Sequence, residues 1–171
     1  MNITIFGKIK IMKKLLLILL CLPLIGFGQT FNNYSESIKY AEQVNKPVLI
    51  TFTGWSCTNC RMMEDNVFSE AESLLKKYVI CQLFVDDRTK LITPETVIIP
   101  TYNGGTKIKT LETLGDKWSM LQLVTYKVNS QPYHVLYSWK DGVIAEPLGY
   151  IPDYKEFSKW LLVGINNFYK E

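Results

Sequence analysis

The stretch VLITFTGWSCTNCRMMED, residues 48–65, limits the folds open to this chain more than any other. Its first six residues are an unbroken apolar and β-branched run, the pattern of a strand covered on both faces. Cys57 and Cys60 follow at once, and a helix is predicted from Thr58 toward Val67. A buried strand end, two thiols and a helix start therefore fall within a few residues. The cysteine pair reads in three ways: half of a zinc site, a structural disulfide, or a redox-active dithiol.

The N-terminus bears on that choice. A basic start at Met12-Lys13-Lys14, the apolar run LLLILLCLPLI (15–25) and the small residues of Gly26-Phe27-Gly28 are the three parts of a secretory signal peptide. The run is shorter than the ~20 residues that span a bilayer. Residues 1–11 read as an upstream extension, residues 1–28 as the signal peptide with that extension, and the mature chain is expected to begin at Gln29. Its removal takes four of the 19 Lys and Arg, leaving 15 against 16 Asp and Glu, so the whole-chain charge of +3 becomes −1. No clustered basic face remains to suggest nucleic-acid binding. Residues 29–171 suit one domain with a proper core. Cys21 leaves with the signal. The three remaining cysteines allow at most one internal disulfide and leave one thiol over.

Zinc is poorly served, because only Cys81 and His134 could join the pair, and they lie on separate predicted strands. A structural disulfide across so short a loop would add little stability. The redox reading has a physical basis. Unpaired N–H groups at a helix start stabilise a thiolate, and Cys60, one turn further in, can attack a mixed disulfide formed at Cys57.

Elsewhere the pattern alternates helix and strand. Helices are predicted over 34–45, 58–67, 69–78 (capped by Ser69 with Glu72), 116–128 (capped by Asp116) and 153–169 (capped by Asp153). Strands are predicted over 48–53, 79–85 and 132–139, with a tight turn at Lys140-Asp141-Gly142 and a returning strand over 143–150. The segment 87–115 is a long insertion, read as a hairpin turned at Asn103 to Gly105, or as a partner-holding loop. The fold class expected is α/β: a sandwich with a mixed central sheet and helices on both faces. Cys81 is expected to be a buried apolar thiol, and His134 an ordinary packed histidine.

A strand ending in C-x-x-C at a helix start reads as thioredoxin-like. Four blocks carry a closer resemblance: KPVLITFTGWSCTNCRMMEDNVFS, YVICQLFVDDRTKL, LGDKWSMLQ and NSQPYHVLY. Together they resemble the C-terminal thioredoxin-like domain of the DsbD-type thiol:disulfide interchange proteins, over most of residues 34–169. That resemblance implies a thiol:disulfide oxidoreductase in which Cys57 is the nucleophile, Cys60 the resolving thiol, Pro132 a cis-proline facing the pair, and Glu64 an acidic group that tunes it or moves protons. Thr51 stands where such proteins carry a buried Asp, so proton transfer would fall to Glu64 or to water.

The same resemblance implies a reductant, and the signal peptide implies export to the periplasm. Protein disulfides would be its substrates, and its electron donor is unidentified, a membrane thiol-electron transporter being one candidate. No cofactor, metal or nucleic acid is called for, and a monomer is expected. Trp55, Thr58, Asn59 and Gln131 would border the docked substrate. Trp55 reads equally well as core. The rival class is a thioredoxin-fold module that keeps the cysteine pair but only holds a partner.

Overall fold

Six consecutive residues, Val48–Thr53, are buried on both faces and form β2, the middle strand of a five-stranded sheet. The computed structural model describes residues 29–101 and 103–170, so the segment read as a signal peptide lies outside the described residues. In the sheet, β1 (Thr30–Phe31) and β3 (Val79–Phe84) run parallel to β2 on one side. On the other side β6 (Tyr133–Ser138) runs antiparallel to β2, and β7 (Gly142–Val143) runs antiparallel to β6. The order is β1-β3-β2-β6-β7.

Alternation along the strands divides the core in two. Val48, Ile50, Phe52, Cys81, Leu83 and Val135 pack against Ala41 of α1 (Tyr34–Val44) and Trp118 of α4 (Leu114–Tyr126). Leu49 and Leu136 face Met63 of α2 (Thr58–Met63) and Phe157 and Leu161 of α5 (Tyr154–Phe168). A fully buried Leu, Ile or Phe contributes about 1.5–3 kcal/mol of burial free energy, which makes β2 the costliest strand to disturb. The result is the expected α/β sandwich with helices on both faces.

Several boundaries differ from the sequence pattern. The helix after the cysteines does not run on regularly. α2 passes into a π-helical stretch, Glu64–Phe68, before the short α3 (Glu72–Leu75). The extra residue in the turn shifts the register, so Ser69 caps nothing. Its hydroxyl donates to the Asp65 carbonyl at 2.7 Å, and α3 starts after Ala71 without a side-chain cap. In α4 the cap is Thr113, and Asp116 is the third residue of a capping box: Asp116 N donates to Thr113 Oγ1, and Thr113 N to Asp116 Oδ2, each at 3.1 Å. The strand expected over 143–150 shrinks to β7 and one bridge between His134 and Leu148, since Pro147 has no N–H to give a ladder.

The insertion 87–115 is an ordered antiparallel hairpin of β4 (Lys90–Pro100) and β5 (Thr106–Thr113), in its own two-stranded sheet. Its base is sewn to the end of β3. Gly115 N donates to the Asp87 carbonyl at 2.9 Å. A Cβ at Gly115 would lie 2.7 Å from the Val85 and Asp87 oxygens, so only glycine lets the two segments come this close.

Candidate redox site

The chain leaves β2 through Gly54, and the next peptide groups are held by an acid from another strand. Asp86, just past β3, accepts hydrogen bonds from Trp55 N at 2.9 Å and from Ser56 N at 3.1 Å. Gly54 leaves room for that carboxylate, because a Cβ there would come within 3.1 Å of it. Cys57 N then turns back onto the Gly54 carbonyl at 3.1 Å. These bonds fix the last residues before the motif in one conformation.

Cys57 is the N-cap of α2, and its Sγ accepts from Cys60 N at 3.2 Å. The two cysteines are joined as a disulfide, with Cα atoms 5.3 Å apart. Their environments differ. Cys57 is partly exposed, whereas Cys60 is 3% exposed under the first turn. Thr58 and Asn59 between them face solvent. Trp55 is 59% exposed and so is not core; one face of its indole stacks on Phe84 at 3.9 Å, leaving the other open. The Arg61 guanidinium donates to the Trp55 carbonyl and closes the loop from the helix side.

Behind the disulfide a cavity of ≈ 370 Å³ is lined by Cys60, Arg61, Glu64, Gln82 and Phe84 among others. Glu64 Oε1 accepts from Gln82 Nε2 at 3.2 Å. Burial raises the Glu64 carboxyl above its usual range, with the negative charge of Asp65 adding and Arg61 opposing. The acid that follows the motif therefore shares a half-enclosed space with the buried thiol position.

Thr51 and His134 are opposed on β2 and β6, and both are buried. Thr51 Oγ1 lies 3.1 Å from His134 Nδ1, and His134 Nε2 lies 3.4 Å from Met63 Sδ. A thioether has no proton to give, so Nε2 carries the ring proton and Nδ1 accepts from the Thr51 hydroxyl. Burial pushes the imidazole down to about 3, which keeps it neutral. Phe68 and Phe157 pack on its ring. His134 is thus a packed histidine.

Cys81 is fully buried on the other face of the sheet, and burial pushes its thiol up to about 12. With Cys81 and His134 on opposite faces, the ligands a zinc site would need do not converge.

Pro132 is buried, and the Gln131–Pro132 peptide is cis. Phe52 pairs with Tyr133. One step further along that register sets Pro132 beside Thr53, at the same end of the sheet from which the cysteine loop departs. Asp86 is the functional residue that the sequence reading overlooked. Its signal was the Asp-Asp pair directly after the β3 run, at the end of the sheet where the motif emerges.

This combination defines the class: a thioredoxin-fold protein with a C-x-x-C disulfide at a helix start. The family model described as a thioredoxin-like domain matches residues 34–163, and the chain belongs to that family. Two solved structures share the fold. One is DsbH oxidoreductase, 22% identical, with a TM-score of 0.52 over 84% of this chain and 89% of that one. The other is a thioredoxin from Thermus thermophilus, 19% identical, with a TM-score of 0.56 over 83% of this chain and 91% of that one. Among curated protein sequences the chain has no match. Fold, family and cysteine pair together are consistent with a thiol–disulfide oxidoreductase in general terms.

Proposed function

We propose that this protein is an exported thiol:disulfide oxidoreductase that reduces protein disulfides, with Cys57 as nucleophile and Cys60 as resolving thiol. The observation that carries this reading is the asymmetry of the pair, one sulfur partly exposed at a helix start and the other buried beneath it. The Cys57 thiolate attacks one sulfur of the substrate disulfide. A Cys57–substrate bond forms, the substrate S–S bond breaks, and the departing sulfur leaves as a thiolate that takes a proton. The Cys60 thiolate then attacks Cys57 Sγ, forming the intramolecular disulfide and releasing the second substrate thiol. Two electrons pass to the substrate, and an external dithiol returns the pair to its reduced form by the reverse exchange.

Glu64, with its carboxyl raised by burial, is placed in this reading as the acceptor of the Cys60 proton. Trp55, Thr58, Asn59 and the Gln131–Pro132 edge border the docked chain, which pairs there as an extended strand. Secretion to the periplasm follows from the predicted signal segment, and a membrane thiol-electron transporter is the donor suited to that compartment. The test is reduction of insulin disulfides with a chemical electron source, run beside Cys57→Ser. Turnover by the wild type, abolished in the variant, is expected, together with mixed disulfides trapped by Cys60→Ala.

A second reading, a module that holds a partner without turnover, draws on the hairpin, where exposed Ile98 and Ile108 are cross-strand partners. A folded protein that reduces nothing and traps nothing would favour that reading.

A further inference from the structure

Gln122 lies on α4 and is completely buried, an unusual place for a carboxamide. Both ends of its side chain are satisfied by one short segment. Its Nε2 donates to the Ser130 carbonyl at 2.9 Å, and its Oε1 accepts from Gln131 Nε2 at 2.9 Å. The chain leaves α4 at Lys127 in the left-handed conformation (φ 59°) and enters β6 at Tyr133. Gln122 therefore fastens the Ser130-Gln131-Pro132 turn to the helix that precedes it.

This arrangement also decides what Gln131 presents. Its side-chain Nε2 is turned back onto α4, where it donates to Gln122, so the side chain is not free for an incoming partner. Its main chain is what the turn leaves beside the end of β2, next to the cysteine loop.

We propose that Gln122 is a positioning residue for the docking edge, holding the Gln131 main chain where an extended, disulfide-bearing polypeptide pairs with it. Substrates are then read at this position through their backbone, with little demand on their side chains. This inference rests on the oxidoreductase reading above and deepens it.

The test uses single-turnover reduction by the pre-reduced mature protein of two probes: an extended peptide carrying a disulfide, and hydroxyethyl disulfide, which has no peptide backbone to dock. In Gln122→Met, which removes both hydrogen bonds, the concentration giving half the maximal rate is expected to rise about tenfold for the peptide. The maximal peptide rate and the hydroxyethyl disulfide rate should each move by less than about twofold. Gln131→Met, which removes one of the two bonds at a less buried site, should raise the peptide value about threefold, and the double variant should add nothing to Gln122→Met. If Gln122→Met does not fold, Gln131→Met alone decides. Unchanged peptide half-saturation in the folded variants, or an equal fall for both probes, would overturn the positioning role. A wild-type protein inert toward both probes would overturn the oxidoreductase reading itself, and the positioning role with it.

Discussion

Lowering the pH from 7 to 5 is expected to destabilise this protein through a single side chain. His134 is the only histidine in the chain, and burial holds it at about 3, against 6.5 for an exposed imidazole. Between those two values the unfolded chain binds a proton that the native protein refuses, so falling pH favours unfolding. The contribution is intact above 6.5 and is lost progressively down to about 3. At about 1.4 kcal/mol per pH unit, the loss between pH 7 and pH 5 comes to about 2 kcal/mol, a large part of the ~5–15 kcal/mol that holds an ordinary domain together.

Glu64 acts with the opposite sign. Its carboxyl is raised in the native state, so the native protein takes that proton first and gains stability as pH falls. Measurements in a Glu64→Gln background remove this offset. Urea unfolding across pH 7 to 5 should then show a midpoint falling by about 1 M. The paired change Thr51→Val with His134→Phe removes both members of the buried hydrogen bond and keeps an aromatic ring against Phe68 and Phe157. It should reduce the pH dependence in this window to less than about 0.5 kcal/mol. A flat midpoint in the Glu64→Gln protein, or an undiminished slope in the paired variant, would refute a neutral buried imidazole.

Three further outcomes follow from the site. Asp86→Ala leaves the Trp55 and Ser56 N–H groups to solvent; a loss of about 1–2 kcal/mol in urea melts and a several-fold slower insulin reduction are expected. In the reduced protein at mildly acidic pH, alkylation followed by mass mapping should label Cys57 well before the buried Cys60, and preferential labelling of Cys60 would reverse the assigned roles. Gly115→Ala forces a Cβ to within 2.7 Å of two backbone oxygens, so thermal unfolding should report a loss above about 2 kcal/mol, with the hairpin base displaced.

What the amino-acid order determined by itself was local. The run 48–53 became a strand without adjustment because every residue in it is apolar or β-branched, whatever its neighbours. Asp153 capped α5 because a cap needs only the N–H groups of the next turn; its Oδ1 takes Lys155 N at 2.8 Å. The C-x-x-C spacing likewise put Cys57 at the helix start and Cys60 one turn inside. The thioredoxin-like family, whose model matches residues 34–163, was legible from the same strand, C-x-x-C and helix order.

Partners distant in sequence were decided only by the tertiary structure. The two-residue β1 went unread because nothing in Thr30–Phe31 marks a strand until β3 offers it an edge. The capping box at Ser69 failed because one π-turn moved the helix register, and α4 gained its cap from Thr113, the last residue of the hairpin strand. His134 meets Thr51 across 83 positions, and Asp86 reaches Trp55 across 31. Gln122 meets Gln131 only because the chain folds back after Lys127. Hydrogen bonds within a turn depend on neighbouring residues and can be read along the chain, whereas which side chains share a buried space depends on sheet register and helix placement, which no short stretch contains.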